Sequence, residues 1–380
     1  MTIPVLLAST TTRWLGTARM PKALADAGFA VSLLTPRNSL AEASRCLAGV
    51  FHVADHTTPS AWLEALSATT ERIRPRLVIP CDDMAFRLLG SAVTGRIAQL
   101  NAGVQFEMAA LVRCSIGDPT HYRTSVDKTL LPAFAGSMGL RVPTHRVVAG
   151  VADAESFVAR HGYPVVLKRA HGFAGQGVAI CTEREALVRA FAAFAAAEAA
   201  DIGDGGPPRY LLQAYVSGSV QYFHAAAWQG QLLAGFALEK LIAHPAPCGP
   251  PTMTRYFAGD ELRKTAASLA RSQGISGLFF AEFIVEDETG VHHLLEINRR
   301  VSPATHRGAA RDVDLCAALY GAITGEPSTS RCALEAGEEG ITVHFPQEWL
   351  RDPQSPHLGE HPSDIPWDEP ALFRALLRGH

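Results

Sequence analysis

Tyr163-Pro164-Val165-Val166-Leu167-Lys168-Arg169-Ala170-His171-Gly172-Phe173-Ala174-Gly175-Gln176-Gly177-Val178 is the stretch whose reading decides the fold. Val165–Leu167 is a short apolar run, expected to be a buried strand. It ends on Lys168. A loop carrying Gly172, Gly175 and Gly177 follows, and the chain turns apolar again over Val178–Ile180. Two strands joined by a glycine loop, with a cation at the end of the first, suit an anion. Glycines let the backbone approach it and aim N–H groups at it. Lysine meets phosphate oxygens as a point charge. Taken alone, the stretch also fits an ordinary surface hairpin.

Working outward, Phe279-Phe280-Ala281-Glu282-Phe283 and Leu294-Leu295-Glu296-Ile297-Asn298-Arg299-Arg300 each set carboxylates among apolar residues. Glu296 and Asn298 are two apart, so on a strand they share a face, and Arg300 continues it. Glu286–Gly290 has the composition of a hairpin loop. Pairing the two runs would bring Glu282, Glu296 and Asn298 to one side. Such oxygen ligands suit Mg²⁺, which is held by a few carboxylates plus substrate phosphates. Arg300 is a natural partner for phosphate or carboxylate.

With Asp127-Lys128 and Leu211-Leu212-Gln213-Ala214-Tyr215-Val216 added, these segments resemble the ATP-grasp superfamily in order and spacing, over roughly residues 115–325. The resemblance implies an α/β protein: a Rossmann-like pre-ATP-grasp domain over 1–115 and a two-lobed ATP-grasp domain over 116–325. Its mobile lid lobe would span about 143–208, with a C-terminal segment over 326–380. It implies ATP and one or two Mg²⁺ ions, with Mn²⁺ as a substitute. Lys128 and Lys168 would reach the phosphates with the Gly172–Gly177 loop. Gln213 and Val216 would hold adenine at the hinge. Many members carry a glutamate near Gln213 for the ribose; this chain has Ala214, which leaves Gln221 as a candidate. The loop His244–Pro251 would cover the substrate, flanked by Lys240 and Arg255, either facing an anion or simply solvated.

The residues themselves place Lys128 in the first turn of a helix over Ser125–Met138. A lysine there opposes the helix dipole and calls for Asp127 or a bound phosphate as compensation. Upstream, Ile3–Ala8, Ala30–Leu34, Val50–Val53 and Arg76–Pro80 read as strands. Gly16–Ala27 and Trp62–Arg72 between them read as helices, which implies a parallel sheet. The first loop lacks G-x-G-x-x-G, against a dinucleotide site. Ser9–Arg13 and Cys81-Asp82-Asp83 lie at strand ends, where substrate contacts occur; Asp82 and Asp83 equally suit a helix cap. A strand is expected at Ile341–Phe345, followed by a polar, proline-rich tail that wraps back on the core or stays partly disordered.

Composition narrows the classes. The chain has 380 residues, 47% hydrophobic and 19% charged, with a net charge of −3. It carries no basic block, which argues against nucleic acid or an anionic membrane as partner. Seven scattered cysteines form no zinc pattern and suit a reducing, cytoplasmic setting; no signal-type N-terminus is expected. The function expected is an ATP-dependent ligase joining a small carboxylic acid to an amine through an acyl phosphate. Arg300 and Lys240 are its expected catalytic residues. Alternatives are a bicarbonate-using carboxylase or carbamoyl phosphate-forming enzyme, and a non-catalytic ATP-binding module. A homodimer is left open.

Overall fold

The computed structural model describes residues 2–54, 58–94, 102–172, 175, 177–198 and 209–378. Among the described residues the strands form three sheets. The first begins with β1 (Ile3–Ala8), followed by α1 (Leu15–Asp26), β2 (Phe29–Pro36), β3 (Leu47–Val53), α2 (Pro59–Ile73) and β4 (Leu77–Pro80). All four strands run parallel, in the order β3-β2-β1-β4. Both faces are covered, so β1 is apolar throughout. Val5 and Leu7 meet Met20 and Leu24 on one side. Leu6 and Ala8 meet Trp62, Leu63 and Phe86 on the other. Helices α3 (Asp83–Val93) and α4 (Ala102–Ile116) follow β4. The chain then leaves through Gly117, at φ +84, where a Cβ would lie 1.9 Å from the Gly274 carbonyl oxygen. Only glycine fits there.

The expected helix over Ser125–Met138 is two helices, α5 (Tyr122–Val126) and α6 (Leu131–Ser137). The Asp127 side chain interrupts them by accepting from the Thr129 amide at 2.9 Å and hydroxyl at 2.5 Å. Such a local side-chain bond competes with helix. Lys128 therefore sits in the break, not in a first turn, and its amide donates to Ala170 O.

The second sheet holds β5 (His145–Val148), β6 (Val165–Arg169), β7 (Val178–Cys181) and β8 (Tyr210–Ala214) in the order β5-β8-β6-β7. Helices α7 (Val151–His161) and α8 (Arg184–Glu198) cover one face through Phe157, Leu187 and Phe191.

The third sheet is antiparallel, in the order β13-β12-β9-β10-β11-β14. It comprises β9 (Gly218–Trp228), β10 (Gln231–Ala243), β11 (Pro251–Phe257), β12 (Gly277–Glu286), β13 (His292–Asn298) and β14 (Gly340–Val343). Helix α9 (Asp260–Ser272) packs on one face through Leu262, Ala266 and Leu269, and α10 (Leu315–Thr324) lies against the other. β10 carries Lys240 near its C-terminal end. β11 begins at Pro251, straight after the irregular proline loop. The tail forms α11 (Gln347–Arg351), α12 (His357–Glu360) and α13 (Pro370–Arg378). α13 returns to the first sheet, burying Leu372 and Leu376 in the core that holds Val5, Leu7, Phe236 and Phe280.

Register decides what the third sheet presents. Asn298, Phe280, His224 and Phe236 are cross-strand neighbours, as are Glu296, Glu282, Tyr222, Leu238 and Tyr256. Side chains in register share a face, so these two rungs form one surface.

Candidate functional site

That surface floors a cavity of about 330 Å³, walled by the second sheet, the His244–Pro251 loop, Trp14 and the start of α11. Every residue of the expected site lines it except Gly172 and Gly177, and Gly172 is tied to it through Lys128. Glu282 and Glu296 oppose each other across β12 and β13. Two like charges in that position repel, so cations must hold them. Lys128 Nζ lies 2.6 Å from Glu296 Oε1 and donates to Gly172 O at 2.7 Å. Burial works to raise the Glu296 carboxyl, but Lys128 and then Lys168 outweigh it and hold it below its ordinary value. Burial raises the Glu282 carboxyl, against the pull of Lys240. Burial also lowers the Lys168 ammonium, with Glu296 opposing. One raised and one lowered carboxyl, side by side, is what two acids sharing a buried site produce.

Asn298 adds a third oxygen on the same face. Two carboxylates and an amide form a hard-oxygen set, which fits Mg²⁺ and gives no support to a soft metal. The repulsion between Glu282 and Glu296 is itself an argument for a cation between them.

The glycine loop is shaped by close approach. Gly175 has φ +79, and a Cβ there would lie 2.5 Å from Cys248 O. Gly175 therefore meets Cys248 of the proline loop that follows β10. At the hinge, the Ala214 amide donates to Thr144 O and the Tyr215 amide to Pro164 O. Val216 is the next amide along, beside the buried Gln213.

Two flanking candidates fall away. Gln221 does not line the cavity, because its neighbours Val220 and Tyr222 take the inward positions on β9. Arg255 turns outward and pairs with Glu239 on the adjacent strand. Lys240 stays inside, 5.7 Å over the Tyr222 ring and 3.4 Å from Gly249 O.

Arg300 lies just beyond β13. Its Nε donates to Asp83 Oδ2 at 2.8 Å, and its guanidinium stacks 4.9 Å from the Trp14 ring and 5.3 Å from Phe280. Burial raises the Asp83 carboxyl, with Arg300 opposing. Asp82 is the helix cap, accepting from the Ala85 amide and from Ser9 and Thr10. The first sheet thus contributes Trp14 and Asp83 to the cavity's arginine. Sequence reading weighed Asp83 only as a strand-end or cap residue and passed over Trp14. His224 was also missed, since it reads as one residue of an apolar run. It is stacked between Phe236 and Phe280, 3.3 Å from Ser302 Oγ, and pushed down to about 3, first by burial and then by Arg307 and Arg300.

Comparison with known proteins bears on the fold. The profile for the carbamoyl-phosphate synthase L chain, ATP binding domain, matches residues 127–218. The carbamoyl phosphate synthase large chain of Saccharolobus islandicus is 24% identical over 173 residues, which is 43% of this chain and 15% of that protein. Pyruvate carboxylase of Schizosaccharomyces pombe is 27% identical over 212 residues, 53% of this chain and 16% of that protein. The chain thus spans about one sixth of the length of these curated relatives. Among solved structures, biotin carboxylase from Campylobacter jejuni superposes with TM-score 0.66 at 16% identity, covering 90% of this chain and 75% of that one. N5-carboxyaminoimidazole synthetase from Staphylococcus aureus, complexed with ADP, gives 0.65 at 13%, covering 93% and 87%. L-amino acid ligase from Bacillus licheniformis gives 0.62 at 13%, covering 90% and 79%. The shared folds give the chain an ATP-grasp architecture, and residues 127–218 are similar to the ATP binding domain of the carbamoyl-phosphate synthase L chain.

Proposed function

We propose that the protein is an ATP-dependent ligase that joins a carboxylic acid to an amine and releases ADP and phosphate. The observation that carries this reading is the convergence of Lys128, Lys168, Lys240, Glu282, Glu296, Asn298 and Arg300 on one cavity that runs on to the Gln213–Val216 hinge. Adenine would lie at the hinge. Lys128 and Lys168 would bind and orient the phosphate tail beneath the Gly172–Gly177 loop. Mg²⁺ held by Glu282, Glu296 and Asn298 would supply the charge neutralisation that phosphoryl transfer needs. Arg300, fixed by Asp83, Trp14 and Phe280, would hold the acid's carboxylate in line with the γ-phosphorus. The carboxylate oxygen bonds to phosphorus as the bond to ADP breaks. The amine then attacks the acyl carbon, and phosphate leaves with the bonding pair. Lys240 and the proline loop would shield the acyl phosphate from water.

The same reading divides the chain into a pre-ATP-grasp domain over 1–115, an ATP-grasp domain over 116–325 with its lid lobe over about 143–208, and a C-terminal segment over 326–380. We place it in the cytoplasm. The cysteines are all unpaired, as a reducing compartment would leave them. Among the described residues no helix is long and apolar enough to cross a membrane.

The test is an ADP-release screen of paired acids and amines with Mg-ATP. The expected products are ADP and phosphate, with a hydroxamate when hydroxylamine replaces the amine. AMP and pyrophosphate as the main products would overturn the assignment.

A further inference from the structure

Beyond Arg300 the cavity continues past the metal carboxylates to a far end formed by Trp14, His224, Ala304, His344 and Gln347. Its chemistry is one-sided. Arg300 and Lys240 bring positive charge. His224 is buried, and so is His344, which is bonded through Nε2 to Thr254 Oγ1 at 2.9 Å. Among the described residues lining the cavity the only carboxylates are Glu282 and Glu296. Both are engaged: Glu296 by Lys128 at 2.6 Å, and Glu282 by facing Lys240 and Lys168. Asp83 is bound to Arg300 and is not on the wall.

We infer that the carboxyl donor is an organic acid with an uncharged, partly apolar body seated against Trp14 and Ala304, rather than bicarbonate or an acid with a free ammonium beside its carboxylate. The inference rests on the ligase reading above. An ammonium carried in beside the reacting carboxylate would meet Arg300 and Lys240 with no free anion to receive it, and like charges at close range exclude a partner. Bicarbonate would fill the space at Arg300 and leave the far wall unused. Binding energy from a non-reacting body is what holds a carboxylate in a reactive position. Burial keeps both histidines neutral, so the wall offers an ammonium repulsion from the cations and nothing in return.

The experiment measures ADP release with Mg-ATP and hydroxylamine across four sets: aliphatic and aromatic monocarboxylates, N-acetyl amino acids, the matching free amino acids, and bicarbonate. Acids without an ammonium should exceed their free amino acid counterparts by about tenfold or more in kcat/KM, the ratio that 1.4 kcal/mol gives. Bicarbonate should give no release above the background. Gln347→Glu places a carboxylate on the far wall at nearly constant shape, and should narrow the gap between N-acetyl and free amino acids by about the same factor. Its melting curve checks that it folds; if it does not, the wild-type ratio alone decides. Preference for free amino acids overturns this inference and leaves the ligase reading standing; preference for bicarbonate overturns both in favour of a carboxylase. No ADP release with any of the four sets overturns both.

Discussion

Lys168 is a buried cation whose surroundings cost it charge, since burial lowers its ammonium while Glu296 supports it. A residue held at that cost adds little to the fold, and under the proposed function it would serve the nucleotide phosphates. Lys168→Ala should therefore weaken ATP binding by roughly 10- to 100-fold, the worth of one charge-assisted hydrogen bond. Its melting temperature should be unchanged or higher, and calorimetry with Mg-ATP beside circular dichroism reads both. Collapse of the fold would make the lysine structural. Asp83→Asn keeps the shape that holds Arg300 and removes the charge. It should raise the KM of the acid more than that of ATP, read from initial rates once a donor is known. Why Lys168 was legible in the sequence and Asp83 was not is a matter of distance. Lys168 sits beside its own glycine loop. Asp83 gains its role only from Arg300, 217 positions away, through a contact that no local pattern encodes. Glu282, Glu296 and Asn298 were legible because strand alternation fixes their face. The setting of Lys128 was not, because a side-chain bond from Asp127 overrode a helical composition.

Strands and helices carry the site through what fixes their ends. Helix α11 puts Gln347 on the cavity wall, and Glu348 pins that helix: its buried carboxylate accepts from Arg351 and from Ser355 Oγ. Burial works to raise this carboxyl, but those hydrogen bonds outweigh it and bring it down to about 2 from 4.5. A carboxyl lowered by folding stabilises the protein above its unfolded value, and that contribution is lost as pH falls through the folded one. Glu348→Gln should thus lose about 2 kcal/mol at neutral pH, and the difference from wild type should close between about pH 4.5 and pH 2. Urea melts across that range measure it; a constant difference would mean packing, not charge. This tail was only partly readable. Its strand was expected one or two residues from where β14 lies, while α11 and α13 are short, and α13 gains its stability from tertiary burial of Leu372 and Leu376. The parallel first sheet was readable because strands buried on both faces are plain apolar runs. β11 was hidden by the prolines that precede it.

At the scale of the whole molecule, the second and third sheets meet around a charged cavity, with Trp14 from the loop after β1, and that arrangement bears on how ATP and metal bind. The hinge after β8, the glycine loop after β6 and the carboxylates of β12 and β13 lie on different sheets. A nucleotide that touches all of them ties the second sheet to the third. Its phosphate tail, however, must lie beside Glu282 and Glu296, whose charges repel it unless a cation intervenes. Lys128 already spends its ammonium on Glu296. Stabilisation of the fold by ATP should therefore depend on divalent metal. Ligand at one hundred times its dissociation constant contributes about 2.7 kcal/mol by mass action, a shift of several degrees for a chain of this size. Mg-ATP should give that shift in a thermal melt, and ATP with excess chelator much less. Glu296→Gln removes one of the two repelling charges as well as a metal ligand. It should shrink the Mg-ATP shift and enlarge the metal-free one, so that the two converge. Equal shifts in the wild type with and without metal would remove Glu282, Glu296 and Asn298 from the metal role. They would leave Lys168 and the hinge to account for binding by themselves.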